Sequence, residues 1–136
     1  MTLKEQLMRD EGLRLKVYAD SVGVPTIGYG RNLRDKGIST AEAERMLDSD
    51  LVDTVEGLYA ALPWFKYLDD ARFGVLVNMG FNLGVPGLLK FVKFLAFLKL
   101  ERYGLAADEM LDSTWAKQVG PRAVRLAEQM RTGVTQ

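Results

Sequence analysis

Residues 10–30 read DEGLRLKVYADSVGVPTIGYG, and their pattern decides what kind of fold the chain forms. Leu15 and Val17, then Val22, Val24, Ile27 and Tyr29, alternate with small or polar residues, while Asp20-Ser21, Gly23, Pro25, Gly28 and Gly30 supply turn chemistry between the runs. The stretch predicts a small antiparallel sheet of two or three strands. On both sides the period changes to that of a helix. Upstream, Thr2-Leu3-Lys4-Glu5 has the spacing of a capping box and opens a short helix with Leu3, Leu7 and Met8 on one side, stopped by Gly12. Downstream, Asp35-Lys36-Gly37 is a turn and Ser39-Thr40-Ala41-Glu42 a second capping box. It launches a long helix carrying Met46, Leu47, Leu51, Val55, Leu58, Tyr59 and Leu62, which Pro63 ends.

Everything beyond Pro63 reads as helix. Asp69 or Asp70 caps a segment with Phe73, Leu76, Val77 and Phe81 that closes at Gly84, and further helices are expected over 87–103, 105–111, 113–119 and 121–131. Trp115 and the stripe Phe91, Phe94, Leu95 and Leu98 have core spacing. The predicted class is α+β, a single domain over 1–136. It has a small N-terminal antiparallel β lobe at about 13–37, a linking helix at about 39–62, and a larger helical lobe made of 1–12 plus 63–136.

Composition narrows the chemistry. The chain has 136 residues, 48% of them apolar, and contains no histidine and no cysteine. A Ser-His-Asp triad, a thiolate nucleophile, a disulfide framework and a His- or Cys-built zinc site are therefore excluded, and any acid–base catalysis must be carried by carboxylates. The 18 basic and 18 acidic residues cancel overall. Residues 1–70 hold 9 basic against 13 acidic, and residues 71–136 hold 9 against 5, a bias that fits either an ordinary uneven scatter of surface charge or an anionic partner for the second half. No clustered basic face or nucleic-acid motif accompanies that bias, and no nucleic-acid partner is expected. The segment MTLKEQLMRDEG has charges and no apolar h-region, so no signal peptide is expected. The greasiest stretch, 83–100, is interrupted by Pro86, Lys90, Lys93 and Lys99, which argues against membrane insertion. A monomer is expected.

Two carboxylates near the predicted sheet can differ in role. Glu11 lies at the C-terminal end of the first helix, where the macrodipole and partial burial favour the protonated form a general acid requires. Asp20 lies in a polar turn beside Ser21 and is expected to stay ionised. Such a pair is the minimal apparatus for glycoside hydrolysis. Thr26, just after Pro25, has a hydroxyl able to donate and accept, which suits a residue that orients water. Each also has a plain structural reading: Asp20 as an Asx-turn residue, Thr26 as a strand residue with a locally bonded hydroxyl.

The whole segment from Asp10 to Gly30, with its E-G, its D and its P-T-I-G-Y-G run, resembles the phage-type lysozymes, the endolysin and muramidase family. The resemblance continues through Glu42-Ala43-Glu44-Arg45, Asn78-Met79-Gly80-Phe81-Asn82-Leu83-Gly84, Ser113-Thr114-Trp115, Arg122-Ala123 and Met130-Arg131-Thr132-Gly133, in the family's order. It implies a lysozyme-like fold and hydrolysis of the β-1,4 bond between N-acetylmuramic acid and N-acetylglucosamine in bacterial peptidoglycan, with no cofactor and no metal. It also implies synthesis in a host cytoplasm and action on the cell wall after release. By the same resemblance Glu11 is the general acid, Asp20 the second carboxylate and Thr26 the water-positioning hydroxyl. Phe81, Asn82 and Gly30 match substrate-binding positions, and Arg122 matches the position whose guanidinium pairs with the catalytic Glu. The competing class is a non-catalytic peptidoglycan-binding or structural domain, which has no need of all three of Glu11, Asp20 and Thr26.

The sequence departs from the family in two places. Many relatives carry a histidine after Gly-Tyr-Gly, where this chain has Arg31, and the carboxylate matching that histidine's partner is Asp50. An Arg31–Asp50 ion pair tying the sheet to the long helix is thus expected, without the histidine's titration near neutral pH. The segment 31–39 is also short for the family, which implies a smaller β lobe with fewer subsites or a more open cleft.

Overall fold

Both predicted capping boxes form. In a computed structural model of residues 1–136, Thr2 Oγ1 accepts from the Glu5 amide while Glu5 Oε2 accepts from the Thr2 amide at 2.7 Å. They open α1, Leu3–Glu11, and Gly12 ends it with φ 74° and an amide bonded to the Met8 carbonyl. The chain then enters an antiparallel sheet of β1 (Arg14–Ala19), β2 (Pro25–Gly28) and β3 (Arg31–Asn32), in that spatial order. Tyr18 opposes Thr26 and Ala19 opposes Pro25 across β1 and β2, while Thr26 opposes Asn32 and Ile27 opposes Arg31 across β2 and β3. The ladder is irregular between Arg14 and Tyr18. Leu15 and Val17, the apolar residues of β1, are exposed at 80% and 61%.

The second box starts α2, Thr40–Ala61, with the Ser39 hydroxyl accepting from the Glu42 amide and Glu42 Oε1 accepting from the Ser39 amide. Pro63 opens a 3₁₀ turn, Pro63–Tyr67, whose Phe65 is buried. Asp69 then caps α3, Asp70–Leu83, by accepting from the Arg72 amide. Three of the remaining five helices follow the fences read in the sequence, α6 (Tyr103–Leu111), α7 (Thr114–Val119) and α8 (Pro121–Thr132), while the short α4 (Val85–Leu88) has no counterpart in that reading.

The helix expected over 87–103 is the exception. It is interrupted after Leu88, and α5 occupies only Val92–Lys99. Phe91, in the turn, meets Phe94 and Trp115 edge-on at 6.3 Å each, and Glu101 adopts the left-handed φ of 59° that turns the chain into α6. Apolar periodicity alone runs straight through these positions. Packing of the aromatic rings and of α5 against α6 favours the breaks.

The structure divides into two compact units, Met1–Met46 and Leu47–Gln136, with the boundary inside α2. The first contains α1 together with the sheet, whereas the sequence reading grouped 1–12 with the helical lobe. In the second, Leu58, Phe65, Leu76, Met79, Phe94 and Met130 are fully enclosed in one apolar core, with Trp115 and Leu98 among their neighbours. Arg72 ties α3 to the end of α8: its Nε donates to the Met130 carbonyl at 2.7 Å, Nη2 to the Arg131 carbonyl at 3.1 Å, and its guanidinium lies 3.5 Å over the Tyr103 ring. No helix is long and apolar enough to cross a membrane.

Candidate active site

Glu11 is the last residue of α1, and its neighbour from the sheet is Gly30 at the tip of the β2–β3 hairpin. Gly30 has φ +71°, and a Cβ built there would lie 2.5 Å from Glu11 Oε2 and 3.0 Å from its Cδ. Only glycine meets both demands, a left-handed backbone and a bare Cα against a carboxylate. Leu3, Leu7, Met8 and Tyr29 give the groove of about 640 Å³ beside Glu11 an apolar wall.

Asp20 and Thr26 are organised by one residue between them. Asp20 Oδ1 accepts from the amides of Val22 at 2.9 Å and Val24 at 2.8 Å, and the Asp20 amide donates to the Val24 carbonyl. Thr26 Oγ1 donates to that same Val24 carbonyl at 2.8 Å. The plain readings of both residues therefore hold, an Asx turn and a locally bonded hydroxyl. They leave chemistry available. Asp20 Oδ2 has no hydrogen-bond partner in the protein, and a hydroxyl whose proton is committed to Val24 presents its lone pairs as an acceptor. Thr26 is 4% exposed, and it is the only buried residue of the first unit.

Arg31 does not take the partner expected from the sequence. Its guanidinium forks onto Glu42 instead of Asp50, Nη1 to Oε1 at 3.0 Å and Nη2 to Oε2 at 2.7 Å, with Nη1 also donating to the Gly37 carbonyl at 3.1 Å. Glu42 is eleven residues away and already oriented by its capping box. The Arg31 hydrogen bonds first, and those from Ser39 second, hold the Glu42 carboxyl down at about 2. Asp50 sits on exposed α2 and lines a shallow groove with Asp53 and Phe81.

The remaining positions lie in the second unit. Phe81 is 40% exposed, so its helical spacing does not make it core. Asn82 Oδ1 accepts from the Trp115 indole at 2.8 Å, which leaves its amide nitrogen as a donor. Arg122 rests on Asn78, with Nε and Nη2 donating to Oδ1 at 2.9 and 2.7 Å. Leu51, Val77, Asn78, Phe81 and Arg122 share a groove of about 410 Å³. Neither Glu42 nor Asn78 has a site role in the sequence alone. The capping box announced where the Glu42 carboxylate begins, but no local signal announces Arg31 as its partner.

A three-stranded sheet carrying a turn carboxylate and a buried hydroxyl, a helix-end carboxylate under a glycine, and a helical unit with one apolar core together define a lysozyme-like α+β protein. Comparison with known proteins agrees. The sequence profile of the phage lysozyme family matches residues 8–131. The chain is 31% identical over 161 aligned positions to the pre-baseplate central spike protein of Enterobacteria phage T4, covering 98% of this chain and 28% of that protein. It is 28% identical to the "Probable T4-type lysozyme 1" of Dictyostelium discoideum, over 97% of this chain and 95% of that protein, and 34% identical to the endolysin of Salmonella phage P22, over 82% and 79%. The chain belongs to the phage lysozyme family, and its enzyme class is glycoside hydrolase.

Proposed function

We propose that this protein is a peptidoglycan hydrolase that cleaves the β-1,4 bond between N-acetylmuramic acid and N-acetylglucosamine. Glu11 protonates the leaving glycosidic oxygen, Asp20 supplies the second carboxylate at the anomeric carbon, and Thr26 holds the attacking water. The observation that carries this reading is the shared anchor at Val24. Its amide donates to Asp20 Oδ1 and its carbonyl accepts the Thr26 proton, so one residue orients both side chains and leaves Oδ2 and Oγ1 free as acceptors. Phe81 offers a partly exposed ring to a sugar face, Asn82 a free amide donor to an acetamido group, and Gly30 a bare backbone beside the acid. Arg122 adds a positive charge to the second unit, held on Asn78.

The test is clearing of purified peptidoglycan or permeabilised Gram-negative cells by the wild type and by Glu11→Gln. Wild-type clearing with release of reducing ends, lost in Glu11→Gln, is expected. Release of peptides without reducing ends would replace the bond assignment, and binding without turnover would favour the non-catalytic class.

A further inference from the structure

We propose that the Arg31–Glu42 ion pair is a positioning device for the acid Glu11, acting through the Gly30 backbone. The inference rests on the glycosidase reading above. Arg31 follows Gly30 directly, so whatever fixes Arg31 fixes the peptide that lies against the Glu11 carboxylate. Apart from that pair the hairpin is held by a short β2–β3 ladder, the Leu33 amide on the Pro25 carbonyl and the Asn32–Asp35 turn, none of which fixes the direction of the tip. β3 is two residues long, and Gly28 and Gly30 both sit at positive φ in the tip, so the backbone there has the freedom that glycine allows.

The anchor is well braced. Both oxygens of Glu42 receive Arg31 nitrogens, and Oε1 also receives the Ser39 amide in the capping box. The third contact, Arg31 Nη1 to the Gly37 carbonyl, ties in the loop before α2. A forked guanidinium fixes direction as well as distance, and the α2 N-terminus favours a carboxylate at this place. The line from Glu42 to Arg31 to Gly30 to Glu11 therefore links the first turn of α2 to the last residue of α1. The same strand pairs Asn32 with Thr26, so movement of β3 also disturbs the water-holding hydroxyl. Neither Arg31 nor Glu42 needs to touch substrate for this role.

Glu42→Gln retains an oxygen for the capping box and removes the ion pair, while Arg31→Lys retains the charge and removes the fork. Both are compared with wild type well below their melting temperatures, by kcat and KM on purified peptidoglycan and by the ¹³C signal of the Glu11 carboxyl across pH. Displacement of the acid is expected to lower kcat about tenfold in Glu42→Gln, with KM within about twofold, because small misplacements of a reacting group are costly. Arg31→Lys should fall between, and the Glu11 signal should move in both. A folded Glu42→Gln with wild-type kcat and an unmoved Glu11 signal would overturn the proposal, even if its melting temperature fell. If Glu42→Gln does not fold, Arg31→Lys decides on the same two readouts. If wild type releases no reducing ends, the glycosidase reading fails, and the Glu11 signal alone decides whether the pair positions that carboxylate.

Discussion

Residues 1–46 and 47–136 hold their shape by different physics. In the second unit, shape follows volume: Leu58, Phe65, Leu76, Met79 and Phe94 are sealed from water in one core. In the first, Thr26 alone is buried, and order comes from directional bonds: a capping box at each helix start, the Asx turn at Asp20, the fork of Arg31 on Glu42, and glycines at positive φ. Directional bonds fix where a few atoms sit without burying much surface. Close packing supplies free energy in bulk but little control over any one exposed atom.

Substitutions can break or sharpen that contrast. The largest stability effect is expected from Phe65→Ala, which removes a fully buried ring stacked on Phe73 at 4.3 Å and should cost about 3–5 kcal/mol in urea unfolding. Less than about 1 kcal/mol would mean that the core is not continuous around Phe65. Gly30→Ala adds one methyl group to the first unit, and there activity should collapse, by about 100-fold in clearing rate, because the acid must move to make room. A fully active, well-folded Gly30→Ala would refute the seating of Glu11.

Arg72→Ala removes a polar brace from the packed unit and should cost about 1.5–3 kcal/mol, since two carbonyls at the end of α8 lose a charged donor. Thermal unfolding that leaves α8 protection from hydrogen exchange unchanged would count against it. Ser39→Ala and Ser113→Ala compare like with like, one N-cap at the start of α2 and one in the packed unit, each accepting from an amide three residues on at 3.1 Å. Both should cost about 1 kcal/mol. Only Ser39→Ala should also slow turnover, since its partner Glu42 holds Arg31.

The smallest effect is in pH dependence. The folded state holds Glu42 at about 2 against an ordinary 4.5, so its contribution to stability is complete above 4.5 and disappears as pH falls toward about 2. The stability gap between wild type and Glu42→Gln should therefore be flat at neutral pH and close over that acid window. A gap that persists at the acid end would mean the charge is not what stabilises the pair.

The elements that were legible in the sequence are those written by local chemistry. Thr2 with Glu5, Ser39 with Glu42, Asp69, Ser113, Gly12 and Pro63 each act within a few residues, and the helices and strands start or stop where they say. The Asp20 turn and the Thr26 bond to Val24 are equally local. The breaks around α5 were hidden because Phe91, Phe94, Leu95 and Leu98 keep helical spacing whether or not the backbone stays helical between Leu88 and Val92.

By itself the sequence determined the chemistry this protein can perform and the residues available for it. With no histidine or cysteine, acid–base chemistry is left to groups such as carboxylates, and short-range rules give Asp20 and Thr26 their orientation. Tertiary structure decided the long-range pairings: Gly30 against Glu11, Arg31 with Glu42 instead of Asp50, the Trp115 indole N–H on Asn82, Arg122 on Asn78. Residue type says that an arginine will seek an acceptor. Which of many acceptors lies within 3 Å depends on how the backbone closes in three dimensions, and no local periodicity carries that information.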